Sequence, residues 1–253
     1  GQSFSSPGRR FPRVAPEARD TAGAHPVGPG CGGWFHAEVV DTIADRYDLI
    51  TRLLSYGQDR RWKARLVREA HISASDVALD LACGTGDIAM LVHAQGAHCV
   101  LGLDLTPHML VLARRKGTGV TYLAGDMGAL PVAPASIDVV TTGYGLRNVP
   151  DLDAALAEVA RVLRPGGRFL SLDFNKPERP LVRRAYLAYL ATVGGAVGWA
   201  LHGDPDTYRY IPASIRRYPG AAGVADRLRA HGFTDVHAVP LLFGLMTLHR
   251  ARR

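Results

Sequence analysis

The chain has 253 residues, 47% of them hydrophobic, and a formal net charge of +7, enough for one elaborated domain around one sizeable core. Its basic residues are scattered apart from Arg9-Arg10, Arg114-Arg115-Lys116 and Arg216-Arg217, which argues against a nucleic-acid partner. Cys31, Cys83 and Cys99 have neither metal nor disulfide spacing, so no metal is expected and a reducing cytoplasm is the default setting. The longest candidate apolar stretch, Ala185 to Leu201, contains three glycines and stops at His202, short of the ~18 residues a spanning helix needs.

In chain order, Gly1 to about Gly33 is rich in Gly, Pro, Ser and Arg without hydrophobic periodicity, which predicts a disordered tail over 1–33. One domain over 34–253 follows. Phe35, Val39, Ile43 and Tyr47 recur at four-residue spacing, and Asp59 to Ala70 carries Trp62, Leu66 and Val67; both read as helices placed to cover a ligand cleft.

Val77 to Ala82 is an apolar run broken only by Asp80; Cys83-Gly84-Thr85-Gly86 then turns into the amphipathic stretch Asp87–Ala94. This is a buried strand, a glycine turn and a helix start, with Asp87 at the positive helix terminus. A second apolar run, Cys99 to Leu103, ends in Asp104, a carboxylate placed to accept both hydroxyls of a ribose. A nucleoside-bearing cofactor is the expectation, a ligand-free glycine turn the alternative. Gly84-x-Gly86-x-x-Ala89 also satisfies the dinucleotide fingerprint. Asp80 discriminates: NAD-binding first strands usually carry an apolar residue there, whereas Asp-x-x-x-Gly-x-Gly is similar to the first motif of S-adenosylmethionine (SAM) methyltransferases.

Thr106-Pro107 predicts a helix through Lys116, with Thr106 as N-cap and Pro107 at N1. Val120–Leu123 is a third strand leading to Gly125-Asp126, and Ile137–Thr142 a fourth leading to Gly143 through Asn148. Asp151–Leu163 is helical, and Pro165-Gly166-Gly167 turns into strand Arg168–Phe174. Leu181–Leu201 (one helix or two), Asp206–Tyr218 and Gly223–Ala230 are further helices. Val236–Pro240 and Phe243–His249 form a closing antiparallel hairpin across Leu241 and Leu242. The alternation specifies a Rossmann-like α/β sandwich with a mostly parallel sheet, the class I methyltransferase arrangement, with its ligands at the strand carboxyl ends.

The motifs resemble the C-methyltransferases of menaquinone and ubiquinone biosynthesis from about Phe35 onward. The carriers are Tyr47-Asp48, Ser55-x-Gly57, Arg60-x-Trp62, Leu79–Asp87, Gly102-x-Asp104 with Met109-Leu110, and Gly125-Asp126 with Leu130-Pro131. Tyr144-Gly-Leu-Arg-Asn-Val149, Arg161–Gly167, Tyr208-Arg-Tyr-Ile-Pro-Ala-Ser-Ile215, Gly244 and Leu248-His249-Arg250 complete the pattern. The chain departs from it at Thr51 (usually Asn), Asp59 (His), Tyr144 (Phe) and Asp173 (Glu).

The resemblance implies SAM as cofactor and a hydroxylated ring, an isoprenoid quinol or a natural-product relative, as methyl acceptor. The cofactor set is then Asp80, Gly84, Thr85, Gly86, Asp104 and Leu105 from the first two strands, with Asp126, Met127 and Gly143 from the next two. Asp126 is placed for the adenine amino group and Met127 for the ring; helix capping is the plain alternative for both carboxylates. Arg147 and Asn148 are the catalytic candidates. Arg147 stabilises an ionised acceptor oxygen or pairs with a surface carboxylate such as Asp151. Tyr47, Tyr144, Tyr210 and Ser214 are the acceptor-site candidates, although tyrosines also pack helices. His202 is either a base beside a lid or an ordinary surface histidine. Other readings are an O- or N-methyltransferase of a small metabolite, a non-catalytic subunit of the same fold and an NAD enzyme. Peripheral membrane contact and a homodimer are further expectations.

Overall fold

The parallel part of the sheet is built from short β-branched and leucine-rich runs. The computed structural model describes residue 55, residues 57–203, residue 208 and residues 210–253; the expectations for the tail, Tyr47, Thr51 and the helical pattern beginning at Phe35 lie outside these. The elements are α1 (Asp59–Glu69), β1 (Val77–Leu81), α2 (Asp87–Ala94), β2 (Cys99–Asp104), α3 (Pro107–Lys116) and β3 (Thr121–Ala124). Then come β4 (Ile137–Gly143), α4 (Leu152–Val162), β5 (Leu163–Phe174), α5 (Pro180–His202), α6 (Tyr210–Arg217), α7 (Gly220–Ala230), β6 (Thr234–Leu241) and β7 (Met246–Arg252). Helices follow β1, β2, β4 and β5, while β3 leads to β4 through a loop. The sheet runs β3-β2-β1-β4-β5-β7-β6. β1 to β5 are mutually parallel, while β7 is antiparallel to both β5 and β6.

Strand alternation divides the core between the two faces. Val77, Leu79 and Leu81 pack with Leu156 and Val159 of α4 and with Val224 and Leu228 of α7. Ala78 faces the other way, with Leu66 of α1, Val92 of α2, Leu190 of α5 and Ile215 of α6.

Several boundaries differ from expectation. Ile137 pairs with Leu163 and Val139 with Arg168, so Arg164–Gly167 bulges out of a longer β5 where a separate turn was expected. Of the two alternatives for α5, one helix of 23 residues is the one formed, and Gly194 serves packing: a Cβ there would stand 3.2 Å from that of Tyr208. α6 spans Tyr210–Arg217, and residues 206, 207 and 209 of its expected beginning lie outside the described residues. Phe243 belongs to the hairpin connection, where it is fully exposed in a left-handed conformation. Thr106 is the N-cap of α3 by backbone geometry, with no side-chain capping bond. Among the described residues no helix is long and apolar enough to cross a membrane, and no metal-ligating cluster occurs.

Candidate active site

The carboxyl ends of β1, β2 and β4 meet at the glycine turn. Gly84 N–H donates to Asp104 Oδ2 at 2.7 Å and Thr106 N–H to Asp104 Oδ1 at 2.9 Å, so this carboxylate fixes the turn it serves. Burial pushes the Asp104 carboxyl up, against the bonds from Thr106 and Gly84 that favour its charged form. Leu105, 52% exposed, offers an apolar surface beside it. Asp126 accepts from Gly128 N–H at 2.8 Å, an Asx-type turn, and Met127 is buried behind it.

Gly86 starts α2 at φ +83°, and a Cβ there would lie within 3 Å of the Tyr122 hydroxyl. Gly86→Ala is therefore expected to weaken SAM binding at least tenfold and to lower stability by about 1–3 kcal/mol, from left-handed strain plus overpacking. A wild-type dissociation constant by calorimetry would show that the turn does not face the cofactor. Gly143 answers to packing: a Cβ there would meet Ile88 Cδ1 at 2.5 Å.

Asp80 lies beneath the turn with 1% exposure. It accepts from the Thr141 hydroxyl at 2.7 Å and from Ala89 N–H at 3.1 Å, tying β1 to β4 and to the first turn of α2. Burial raises its pKa to about 7. The structure thus gives Asp80 a role in shaping the turn from below.

Thr85, on the turn itself, accepts from Lys116 Nζ at 2.7 Å. Lys116 also pairs with Asp87 Oδ1 at 2.7 Å, Lys63 reaches Asp87 Oδ2 at 2.9 Å, and Lys63 pairs with Asp59 Oδ2 at 2.8 Å. Burial opposes charge on Lys63, yet Asp87 and Asp59 outweigh it and raise its pKa; Asp87 is correspondingly lowered against its own burial, chiefly by Lys63. A cavity of about 700 Å³ adjoins this chain, lined by Asp59, Arg60, Lys63, Asp87 and Lys116 among others; none of the strand-end carboxylates Asp104, Asp126 and Asp173 lines it.

Beyond β4, Arg147 is buried on Asp173. Its Nη1 donates to Asp173 Oδ1 at 3.1 Å and to the Tyr144 carbonyl at 2.5 Å, and its backbone N–H donates to Asp173 Oδ2 at 3.1 Å. The guanidinium lies 4.9 Å from the Phe174 ring. Burial pushes the Asp173 carboxyl up and Arg147 draws it back. The expected alternative partner, Asp151, instead caps α4 by accepting from Ala154 N–H at 3.0 Å. Asn148 Nδ2 donates to the same Tyr144 carbonyl at 3.2 Å.

The acceptor-site candidates divide. Tyr210 stands close enough to Arg147 to feel its charge, as does Tyr218, and burial raises both phenols. Tyr144 is buried, its hydroxyl donating to Asp59 at 2.8 Å. Ser214 is fully buried, and its hydroxyl donates to the Ile211 carbonyl within α6 at 2.9 Å, a helix contact in place of an acceptor contact. Nothing is described of the His202 side chain.

A family model, the ubiE/COQ5 methyltransferase family, matches residues 35–253. The chain belongs to the ubiE/COQ5 methyltransferase family. It is a SAM-dependent methyltransferase, and the residues present fit that cofactor: a glycine turn clasped by a buried Asp104, with Leu105 exposed alongside. Among similar family proteins, the demethylmenaquinone methyltransferase of Thermus thermophilus is 40% identical over 82% of this chain and 96% of its own length. The ubiquinone/menaquinone biosynthesis C-methyltransferase UbiE of Rubrivivax gelatinosus is 38% identical over 85% of each. The fold extends further. A Thermotoga maritima SAM-dependent methyltransferase, described as a possible histamine N-methyltransferase, superposes with TM-score 0.62 at 18% identity, covering 85% of this chain and 98% of that one.

Lys63, Lys116 and Thr141 escaped the sequence reading. Asp173 entered it only as a departure from the family pattern, although it carries the signal that singled out Asp80: a charge inside the apolar run Phe169–Phe174.

Proposed function

We propose that the protein methylates a ring carbon of a demethylmenaquinol-type isoprenoid quinol. The observation that carries this reading is a buried guanidinium, Arg147, anchored on Asp173 beside Asn148, in a chain about 40% identical to demethylmenaquinone methyltransferases over most of its length. The cofactor supplies an electrophilic methyl group on a sulfonium. Asp104, Leu105, Asp126 and the turn at Gly84–Gly86 hold it. A ring carbon becomes nucleophilic when the neighbouring hydroxyl ionises. Arg147 remains protonated and stabilises that oxygen by a charge-assisted hydrogen bond. The rest of the acceleration comes from alignment and exclusion of water. Incubation with labelled SAM and the reduced acceptor tests this: one methyl should appear on the quinol ring. Transfer only to hydroxyl or amine acceptors from source extracts would replace the reading.

A greasy acceptor has to reach the site, and α5 has a surface suited to a membrane. From Ala185 to Ala200 it carries no charged side chain. Leu181 and Trp199 are 79% and 70% exposed, and eighteen residues is about five turns, which puts them on one side of the helix. Arg179, Arg183 and Arg184 at its N-terminal end match anionic headgroups. Such a helix lies on a bilayer without crossing it. Flotation with phosphatidylglycerol-containing vesicles should carry the protein up, and Leu181→Asp with Trp199→Asp should abolish this. A wild type that does not float, and whose dimer the same pair dissociates, would assign the face to a second copy.

A further inference from the structure

The polar chain described above does not stop at Asp59. Tyr144 Oη donates to Asp59 Oδ1 at 2.8 Å, so contacts run from Thr85 on the cofactor turn through Lys116, Asp87, Lys63 and Asp59 to Tyr144. The backbone of Tyr144 then serves both catalytic candidates, because its carbonyl accepts from Arg147 and from Asn148.

Tyr144 holds that carbonyl in place with φ at +62°. A side chain in this region costs roughly 1–2 kcal/mol, so surrounding contacts must over-determine the conformation. Three do so besides the hydroxyl: its N–H donates to the Leu172 carbonyl at 2.7 Å, its ring lies 5.6 Å from Phe174, and Lys63 Nζ stands 5.9 Å from its ring centroid. The Asp59 bond joins this residue to α1 by a hydrogen bond, beside the Lys63 contact from the same helix, and both carboxylate oxygens are committed, one to Tyr144 and one to Lys63. The two positions are also two of the four departures from the family pattern, and here they form one hydrogen bond.

We propose that Asp59 and Tyr144 are positioning residues for methyl transfer: their hydrogen bond holds Tyr144 in its left-handed conformation and so aims Arg147 at the acceptor. The proposal rests on Arg147 facing the acceptor, as argued above. The pair acts through Arg147 and touches neither acceptor nor cofactor.

Tyr144→Phe removes only the hydroxyl and keeps the ring against Phe174. We expect kcat to fall about tenfold, within the worth of one hydrogen bond to a charged acceptor, with KM for SAM within twofold of wild type. Asp59→Ala, which removes the acceptor, should lower kcat similarly, and the double variant should fall no further than the worse single. In an Arg147→Ala background, Tyr144→Phe should have no further effect on kcat, an outcome that loss of stability alone would not produce. Unchanged kcat in Tyr144→Phe, or an undiminished loss in that background, overturns the proposal. A second readout does not depend on the acceptor: the Arg147 Nε–H resonance in ¹H–¹⁵N spectra of the full chain should shift or broaden in Tyr144→Phe. If the wild type binds SAM but does not methylate the quinol, the proposed function fails and this resonance decides; an unchanged signal then overturns the positioning role.

Discussion

Arg147→Ala is expected to lower turnover about 10²-fold or more, as loss of one oxyanion donor does elsewhere, while SAM affinity stays near wild type. Raising the pH should partly rescue it, since more acceptor then ionises unaided. The burial of the pair, with side chains 4% and 3% exposed, adds a stability effect. Removing one partner of a buried pair costs ~3–5 kcal/mol because it leaves the other charge uncompensated. In Arg147→Ala the uncompensated group is Asp173, already pushed up by burial. Its folded pKa then lies further above the unfolded one, so the deficit grows as pH rises through that interval. Arg147→Lys separates the two effects. An ammonium restores charge beside Asp173, and with it most of the stability. It lacks the second nitrogen needed to reach an acceptor while the first stays on Tyr144 and Asp173, so turnover stays low. Urea unfolding and steady-state rates on the same samples decide this, and wild-type turnover in both variants removes Arg147 from the mechanism.

The second large effect belongs to Asp80. Burial raises its folded pKa from 3.8 to about 7. A carboxyl with a raised folded pKa binds more protons in the folded state, so the protein is most stable below the unfolded value and loses stability as pH climbs to about 7. Three pKa units at 1.36 kcal/mol each bound the loss at about 4 kcal/mol. Asp80→Asn should flatten the profile between pH 5 and 8 and leave the variant more stable than wild type at pH 8. The substitution fits: the Asn carbonyl accepts from Ala89 N–H, its amide donates to Thr141, and the threonine hydroxyl rotates to accept. Parallel stability curves for the two proteins over that range would show that Asp80 is ionised in the fold throughout.

What the sequence revealed and what it withheld follow from range. The strands, the mostly parallel sheet and the expected cofactor end were legible because a short apolar run and its terminal Gly or Asp are local patterns; Gly84, Asp104 and Asp126 needed no tertiary knowledge, whereas the strand order did. The partner of Arg147 did not show. Asp151 lies four residues away in sequence, whereas Asp173 approaches only because β5 pairs with β4. Lys63 is hidden for the same reason, since its partner Asp87 is 24 residues on. The glycines of α5 left its continuity open, between one helix and two, because helix propensity is a weak prior once a face is packed.

The place of β7 between β5 and β6 has a consequence for synthesis. The ribosome delivers β6 first, yet within this sheet β6 hydrogen-bonds to β7 alone. A nascent chain that has emerged as far as Leu241 therefore holds β5 with an open edge and a strand with no place to dock. Unpaired edges recruit other chains, so the interval before Met246–Arg252 emerges is the one in which chaperone contact matters most. Ribosome-bound chains arrested with Leu241 just outside the exit tunnel should be cut by protease between Ala230 and Leu241. Chains extended past Arg252 should resist there.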